Sequence, residues 1–340
     1  MKAPAQSAAA RALPVAWVGG LLGLTVALAL ASLLVGSTDV PTSLRWLLSP
    51  DAQSDTVLWQ IRLPRTLGAW CAGALLGLGG AIAQGLFRNP LAEPYLLGTA
   101  SGAALGVTLC LLAADSTFMG IAFWGKLGLT SSAFVGACGA MALTLSLSRG
   151  VLQTANLLLA GVVVSFLLSA VTGLVLLSSP NAWRALQGFL LGTTGFLGWS
   201  SVLLLATALT ACLIPAVLLS RGLDALTLGE DTAQSLGLSL PTLRIAMLGI
   251  LSLATAAAVG QVGVVGFIGL IAPHLVRQAL HVNHRRLLIA APLVGGVLLQ
   301  AADLVSRAVW RPIDLPVGSV TACLGGAYLV ALLWRRARDV

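Results

Sequence analysis

The sequence predicts an all-α protein that crosses a membrane about ten times. Of its 340 residues, 58% are apolar and only 9% are charged, whereas soluble domains carry about 25% charged residues. The apolar residues fall in runs of about 17–22 residues, enough for a helix to cross ~30 Å of hydrocarbon. We therefore treat residues 1–340 as a single transmembrane domain.

Hydropathy places ten candidate spans along the chain. In order they cover residues 14–35, 66–87, 96–113, 127–147, 157–177, 199–219, 245–262, 264–280, 287–306 and 317–334. The first is longer than the apolar core of a cleaved signal peptide, about 7–15 residues, and is kept as a span. Only residues 260–263 separate the seventh from the eighth, and Pro273 should kink the eighth.

The distribution of basic residues predicts the orientation. An even number of spans places both termini on one side of the membrane. With the N-terminus inside, 12 of the 19 basic residues lie on the inner side and seven on the outer side. Basic residues concentrate on the cytoplasmic side, so Lys2 and Asp339 are both expected in the cytoplasm. No basic patch is interleaved with aromatic residues, so no nucleic-acid partner is expected.

The second span and its flanks hold the most distinctive pattern. Arg62 and Arg65 flank Pro64 before the span, and a polar break at residues 88–94 follows it. Three glycines then recur every four residues: Gly98, Gly102 and Gly106. That spacing places them on one helix face, where another helix can approach closely. The pattern predicts a tightly packed transmembrane hairpin.

The outer connections differ in character. Residues 36–60 are polar and predict a loop, with a short helix near Trp46. Residues 178–198 are apolar but rich in glycine, which disfavours a helix. From composition alone this second connection is a loop lying on the membrane surface.

The longest inner connection covers residues 221–244. Thr227 and Glu230 fit a helix-starting capping box, and Gly237 fits a helix stop. We therefore predict a short helix over about residues 228–236. Its expected exposed apolar face consists of Leu228, Ala233 and Leu236.

Few patterns suggest a nucleotide or metal site. Gly120-x-x-x-x-Gly125-Lys126 approaches a phosphate-binding loop, but Leu127 supplies no hydroxyl for magnesium. His281-x-x-His284 lies beside two arginines, whose charge opposes a cation, so a solvated loop is favoured. For His274, a buried hydrogen-bonded imidazole is favoured over a heme or metal ligand. The five cysteines are far apart and form no C-x-x-C pair.

Ionisable residues inside the spans are equally scarce. Asp303 is the clearest, and Arg307 follows it by one helical turn, so an internal ion pair is the simplest account. Proton-coupled secondary transporters usually carry more such groups on broken helices. No combination of acid, base and nucleophile stands out, so the chain is not expected to be an enzyme.

Several motifs resemble the FecCD family of ABC-importer permeases. They are Arg62-x-Pro64-Arg65, Asn89-Pro90-Leu91-Ala92-x-Pro94-x-x-Leu97-Gly98, Gly266-Phe267-Ile268-Gly269-Leu270-Ile271-Ala272-Pro273-His274, Ala302-Asp303-Leu304 and Leu315-Pro316-Val317-Gly318. The resemblance extends from about Leu58 to Trp334. These permeases import ferric siderophores, heme and cobalamin through the bacterial inner membrane.

The resemblance implies a set of partners. It implies a second copy of this permease or a paralogue, two cytoplasmic ATP-binding subunits, and a periplasmic or lipid-anchored binding protein. The chain would bring no ATPase site, cofactor or metal of its own. The implied substrate is a bulky iron complex, either a ferric siderophore or heme, with cobalamin as the alternative. An ion-coupled secondary transporter is the alternative from another class.

The resemblance also implies roles for individual residues. Binding-protein docking would fall on Arg62, Arg65 and Arg307, although lipid headgroups and the Asp303–Arg307 pair could explain these charges instead. The cytoplasmic gate would comprise Asn89, Leu91, Gln153 and Thr154. Coupling to the ATPase would use Leu228, Gly229, Glu230, Ala233, Leu236 and Gly237. Residues 178–198 would include a short helix at the outer mouth.

Overall fold

A computed structural model describes residues 14–35, 52–116, 121–148, 154–280 and 282–338. The elements in these ranges are helical, as the composition predicted. The helices are α1 (Val15–Leu34), α2 (Leu63–Leu86), α3 (Thr99–Ser116), α4 (Ile121–Leu147), α5 (Thr154–Leu176), α6 (Pro180–Leu191), α7 (Trp199–Leu218), α8 (Ser220–Thr227), α9 (Glu230–Ser235), α10 (Leu240–Val262), α11 (Ile268–Ala279), α12 (His284–Ala308) and α13 (Val317–Arg338). We call the face at the C-terminus of α1 the outer face, following the charge distribution.

Nine of the ten predicted spans coincide with apolar helices. Within the described residues, seven helical segments are long and apolar enough to cross a membrane: Val15–Leu34, Thr56–Leu86, Gly128–Leu147, Ala155–Leu176, Trp199–Leu218, Leu240–Val262 and His284–Ala308. Two shorter apolar helices, Thr99–Ala113 and Val317–Leu332, match the third and tenth spans. The predicted class, a polytopic all-α membrane protein, is confirmed.

The eighth span was predicted wrongly. Its helix, α11, has 12 residues and is therefore only ~18 Å long. Residues 263–267 precede it in a non-helical conformation, with positive φ angles of 72° at Gly263 and 68° at Phe267. Hydropathy could not detect this break because the non-helical residues are as apolar as the helix.

Other segments supply the hydrogen bonds that residues 263–267 lack. The N–H of Val264 donates to the Phe189 carbonyl at 3.0 Å. The N–H of Val265 donates to the Tyr95 hydroxyl at 3.3 Å, and that of Phe267 donates to the Glu93 carboxylate at 2.9 Å. Non-helical backbone at membrane depth persists only with such partners.

The helix α2 lies at the centre of the packing. Twenty of its 24 residues are buried, and their side chains are mostly small. A Cβ added at Gly73 would lie 2.3 Å from the carbonyl oxygen of Gly295 in α12. A Cβ added at Gly80 would lie 1.7 Å from the carbonyl oxygen of Gly269 in α11. Glycine therefore allows three helix backbones to meet along α2.

The predicted glycine face of α3 is confirmed at two of its three positions. Gly102 meets the backbone of Gly136, and Gly106 that of Ser132, both in α4. Gly98 instead ends the 3₁₀ helix Pro94–Leu97, with φ of 77°. The expectation for Gly98 was wrong because a turn intervenes before α3 begins.

Two outer connections are more helical than their composition suggested. Ala52–Asp55 and the π-helix Thr56–Arg62 continue directly into α2, so the second span begins well before residue 66. The short helix implied for residues 178–198 is present as α6, whose start is capped by the Ser179 hydroxyl. The predicted helix near Trp46 lies outside the described residues.

Candidate functional site

Asp303 is the centre of a buried ion-pair cluster near the outer face. Its fully buried carboxylate accepts hydrogen bonds from Arg65 Nε at 2.9 Å and from Arg307 Nη2 at 2.7 Å. The hydroxyl of Thr194, between α6 and α7, donates to the same carboxylate at 2.5 Å. The expected Asp303–Arg307 pair is confirmed, and two donors from distant parts of the sequence complete the cluster.

Two of the outer arginines hold the C-terminus of α1. Arg307 Nη1 donates to the carbonyls of Ser32 at 3.2 Å and Val35 at 3.0 Å. Arg62 Nη1 donates to the Leu33 carbonyl at 2.5 Å. A helix leaves its last carbonyls without internal partners, and cations there are favourable. This contact explains basic residues on a face where the charge bias disfavours them.

The structure separates the three predicted docking arginines. Arg62 and Arg307 are only 4% and 3% exposed, so neither presents its charge to solvent. The Arg65 side chain is 11% exposed and binds both Asp303 and, at 2.6 Å, the exposed carboxylate of Asp314. Asp314 and Thr194 could not be predicted as partners, because neither lies in a recognisable motif with the arginines.

The α2–α3 loop, residues 87–98, contains two of the predicted gate residues. Asn89 and Leu91 are exposed at the inner end of α2, where Asn89 Oδ1 accepts a hydrogen bond from the Leu91 N–H at 2.9 Å. Thr154 is the first residue of α5, but its side chain lies outside the described part of the chain, as does Gln153. The relation between the two predicted gate elements therefore stays a prediction.

The far end of the α2–α3 loop is fixed inside the helix bundle. Glu93 binds the Phe267 N–H, and the Tyr95 hydroxyl donates to the Val265 carbonyl at 3.0 Å. The loop thus connects an exposed inner end to the break between α10 and α11.

The α8–α9 segment, residues 220–237, differs from its predicted start. Thr227 ends α8 and its hydroxyl donates to the Asp224 carbonyl at 2.6 Å, so the capping box does not form. Gly229, with φ of 107°, precedes α9 in a conformation that favours glycine, and Glu230 is the first helical residue. Gly237 ends the helix as predicted, with φ of 82°.

The apolar face of this segment is smaller than predicted. Leu228 is 66% exposed and Leu236 is 63% exposed, as expected. Ala233 is fully buried and packs into the core, so its assignment to the exposed face was wrong. Two exposed leucines at the inner face remain, beyond the helices that lipid would cover.

Among the described residues, two ion pairs and one Asp–His hydrogen bond attach the α8–α9 segment to the rest of the protein. Glu230 Oε1 lies 2.7 Å from Arg244 Nη2, at the start of α10, and 3.4 Å from Arg88 Nη2 in the α2–α3 loop. Asp224 Oδ1 lies 2.7 Å from His284 Nδ1 at the start of α12. These partners could not be predicted, because opposite charges in separate segments of the sequence do not indicate which of them will meet.

The structure accounts for the remaining chemical motifs. The backbone is helical from Ile121, so Gly125 and Lys126 lie in α4 and not in the outer loop expected there. His274 interacts with Gln278 and Tyr328, and His284 with Asp224. Among the described residues, no group of three or more His, Cys, Asp or Glu could hold a metal.

A cavity of about 430 Å³ lies beneath α6. Its wall includes Phe189, Phe196 and Leu204, together with the polar residues Thr130, Thr193, Ser200, Ser201 and Gln261. The Gln261 amide donates to the Thr130 hydroxyl at 3.0 Å, so these two groups satisfy each other. The cavity is therefore mainly apolar, with several hydroxyl groups and no charged side chain in its wall.

The apolar helices and the small-residue packing define a multi-pass membrane protein. The model of the FecCD transport family matches residues 24–335. The chain belongs to this family and is the membrane-spanning permease subunit of an ABC importer.

Its relatives span nearly the whole chain. It is 36% identical to the hemin transport system permease protein HmuU of Yersinia pestis, over 96% of this chain and 97% of that protein. It is 38% identical to the vitamin B12 import system permease protein BtuC of Klebsiella pneumoniae, over 94% and 93%. A solved inward-facing structure, assigned to the metal-chelate type of ABC transporter, superimposes with a TM-score of 0.82 at 30% identity, covering 94% of this chain and 99% of that one.

Proposed function

We propose that this permease carries a bulky iron complex, heme or a ferric siderophore, across the bacterial inner membrane into the cytoplasm. The observation that carries this proposal is the match to a hemin permease over 96% of the chain. The structural relative of metal-chelate type agrees with it. Cobalamin is the second candidate, favoured by the 38% identity to a vitamin B12 permease.

We propose that transport takes place between two permease copies, this chain and either itself or a paralogue. The cavity beneath α6 lies within one chain and has no charged side chain in its wall, which does not suit a ferric siderophore or the carboxylates of heme. Asn89 and Leu91 are exposed at the inner end of α2, where they could face their counterparts. These residues, with Gln153 and Thr154, would then form the cytoplasmic gate.

ATP hydrolysis would be supplied by two separate cytoplasmic subunits that bind the α8–α9 segment. Leu228 and Leu236 give this segment two exposed apolar side chains at the inner face. Such anchors can fill a groove on a partner protein. Gly229, Glu230, Ala233 and Gly237 would set the shape of the segment and not contact the ATPase directly.

The binding protein would dock on the outer face around Arg65. This arginine is partly exposed and carries an exposed acidic neighbour, Asp314, which an incoming carboxylate could replace. Arginine suits that exchange because its planar guanidinium can bind a carboxylate with two hydrogen bonds. Arg62 and Arg307 would support this surface through α1, since both are buried.

The test is uptake by the complete transporter in proteoliposomes, with hemin, a ferric siderophore and cyanocobalamin compared as substrates. We expect hemin or siderophore uptake that requires internal ATP and is inhibited by vanadate but not by uncouplers. Uptake of cyanocobalamin alone would select the second candidate. Inhibition by uncouplers with resistance to vanadate would instead indicate ion coupling.

A further inference from the structure

We propose that the ion pair between Arg88 and Glu230 transmits movement of the α8–α9 segment to the α2–α3 loop. The inference rests on the proposed function, in which the segment binds the ATPase and the loop is the gate. It adds the physical contact through which one element acts on the other. Arg88 and Glu230 are thus positioning residues, and neither needs to touch the substrate.

Glu230 holds two arginines from different elements with the same oxygen atom. Arg244 Nη2 lies 2.7 Å from Oε1, and its side chain is buried at the start of α10. Arg88 Nη2 lies 3.4 Å from the same oxygen, and its side chain is 44% exposed. The contact with Arg244 is therefore the tighter one, and it holds the Glu230 carboxylate in position to bind Arg88.

Arg88 is placed to move the loop residues that follow it. It ends α2 with φ of 49°, in the left-handed region where a residue with a Cβ is strained and glycine is common. The Asn89 N–H closes the helix end by donating to the Gln84 carbonyl at 3.3 Å. A glycine at position 88 would adopt this turn with less strain. The arginine that occupies the position instead supplies the side chain that binds Glu230.

The two ends of the α2–α3 loop are attached to different parts of the protein. Glu93 and Tyr95 bind residues 263–267 inside the bundle, through the contacts at 2.9 Å and 3.0 Å. Arg88 binds Glu230 at the inner face. A loop that is fixed at one end and pulled at the other must shift the residues between them, and these include Asn89 and Leu91.

The α8–α9 segment likewise has one end that is fixed and one end that can move. Its first helix is attached to α12 by the Asp224–His284 contact. Gly229, with φ of 107°, separates that helix from α9, which begins at Glu230. Rotation about Gly229 would move Glu230 while α8 stays in place, because hinge residues absorb such changes in φ and ψ.

The experiment measures whether the loop still responds to the ATPase when the pair is removed. Leu91→Cys is labelled with an environment-sensitive fluorophore in a transporter whose five native cysteines are replaced. Emission is compared before and after trapping with ATP and vanadate. The variants are Arg88→Gln, Arg88→Lys, which keeps the charge, and Arg285→Gln, which removes an exposed inner-face charge outside both elements.

We expect Arg88→Gln to reduce the nucleotide-dependent change in emission by about two- to fivefold, the effect of losing one partly exposed ion pair. ATP hydrolysis and thermal stability should stay at their original levels. Arg88→Lys should restore most of the change, and Arg285→Gln should leave it intact. A merely structural role of Arg88 would lower stability without selectively lowering the response.

Two results would overturn the proposal in different ways. A full response in Arg88→Gln, alongside a full response with native Arg88, would reject the ion pair as the link and leave the gate in place. No response even with native Arg88 would mean that the loop does not move during the cycle, which would reject the gate and the link together.

Discussion

Arg65 Nε lies 2.9 Å from Asp303 Oδ1, which joins α2 to α12 through residues 238 positions apart in the sequence. The same carboxylate holds Arg307, and Arg307 in turn holds the end of α1. Three helices near the outer face therefore depend on one fully buried acidic group. The surface proposed to receive the binding protein is built on this cluster.

Replacing Asp303 with asparagine should destabilise the protein strongly. Arg307 would remain buried without its counter-charge, and breaking a buried ion pair in this way costs about 3–5 kcal/mol. The measurement is the thermal midpoint of the purified permease in detergent. Asp314→Asn is the control, because its pair with Arg65 is exposed and should contribute less than about 1 kcal/mol. Equal midpoints for the two variants would contradict the central role of Asp303.

Docking of the binding protein should depend on Arg65. Arg65→Gln should weaken binding, while Asp314→Asn should strengthen it by removing the internal competitor for the guanidinium. The affinity of the binding protein for the purified permease is measured at two salt concentrations. Salt weakens attraction between exposed charges, and at physiological ionic strength the attraction extends only about 8 Å. If the two variants differed from the native permease in affinity by as much at high salt as at low salt, the contact would not be electrostatic.

Gly80→Ala should disrupt the contact between α2 and α11. The added Cβ would lie 1.7 Å from the Gly269 carbonyl oxygen, so the two backbones must separate, at a cost of about 3 kcal/mol or more. Gly249→Ala is a matched control in α10, where nothing lies within 4 Å of the new Cβ. We expect a lower thermal midpoint for Gly80→Ala and an unchanged or higher midpoint for Gly249→Ala. An unchanged midpoint for Gly80→Ala would show that α2 and α11 pack less closely than the structure indicates.

Leu236→Asp should weaken binding of the ATPase without unfolding the permease. The leucine is 63% exposed, and exposed substitutions usually change stability by no more than about 0.5 kcal/mol. Co-purification of the ATPase and hydrolysis coupled to uptake are the measurements. Gln234→Asp adds the same charge to an exposed position of α9 and should have a smaller effect. Ala233→Asp is unsuitable for this purpose because Ala233 is buried.

Cysteine labelling should establish the orientation of the chain. A membrane-impermeant maleimide applied to spheroplasts should label Arg184→Cys in α6 and leave Arg285→Cys in α12 unmodified, as both positions are exposed but lie on opposite faces. Permeabilised cells serve as the control in which both should react. The reverse pattern would place both termini outside and reject the interpretation of the basic residues.

Much of the fold was predictable because it depends on local properties of the chain. Nine spans follow from hydropathy, and the Gly102 and Gly106 contacts follow from helical spacing. The Asp303–Arg307 pair was also predictable, since a separation of four residues brings side chains together in any helix. The non-helical residues 263–267 were not predictable in this way, because partners such as Glu93 and Phe189 lie far away in the sequence.

The candidate site shows where local prediction reaches its limit. Motifs drew attention to Arg62, Arg65 and Arg307 together, yet packing buries two of them against α1 and leaves only Arg65 partly exposed. Likewise, the charge of Glu230 was visible in the sequence, but its contact with Arg88, 142 positions earlier, was not. Composition and hydropathy were sufficient for the membrane class and the approximate spans, since these depend on transfer of each segment into lipid. The resemblance to the family rested on local motifs. Which buried charges meet was decided by the tertiary structure, because a charge inside the bundle is stable only beside a partner that helix packing brings to it.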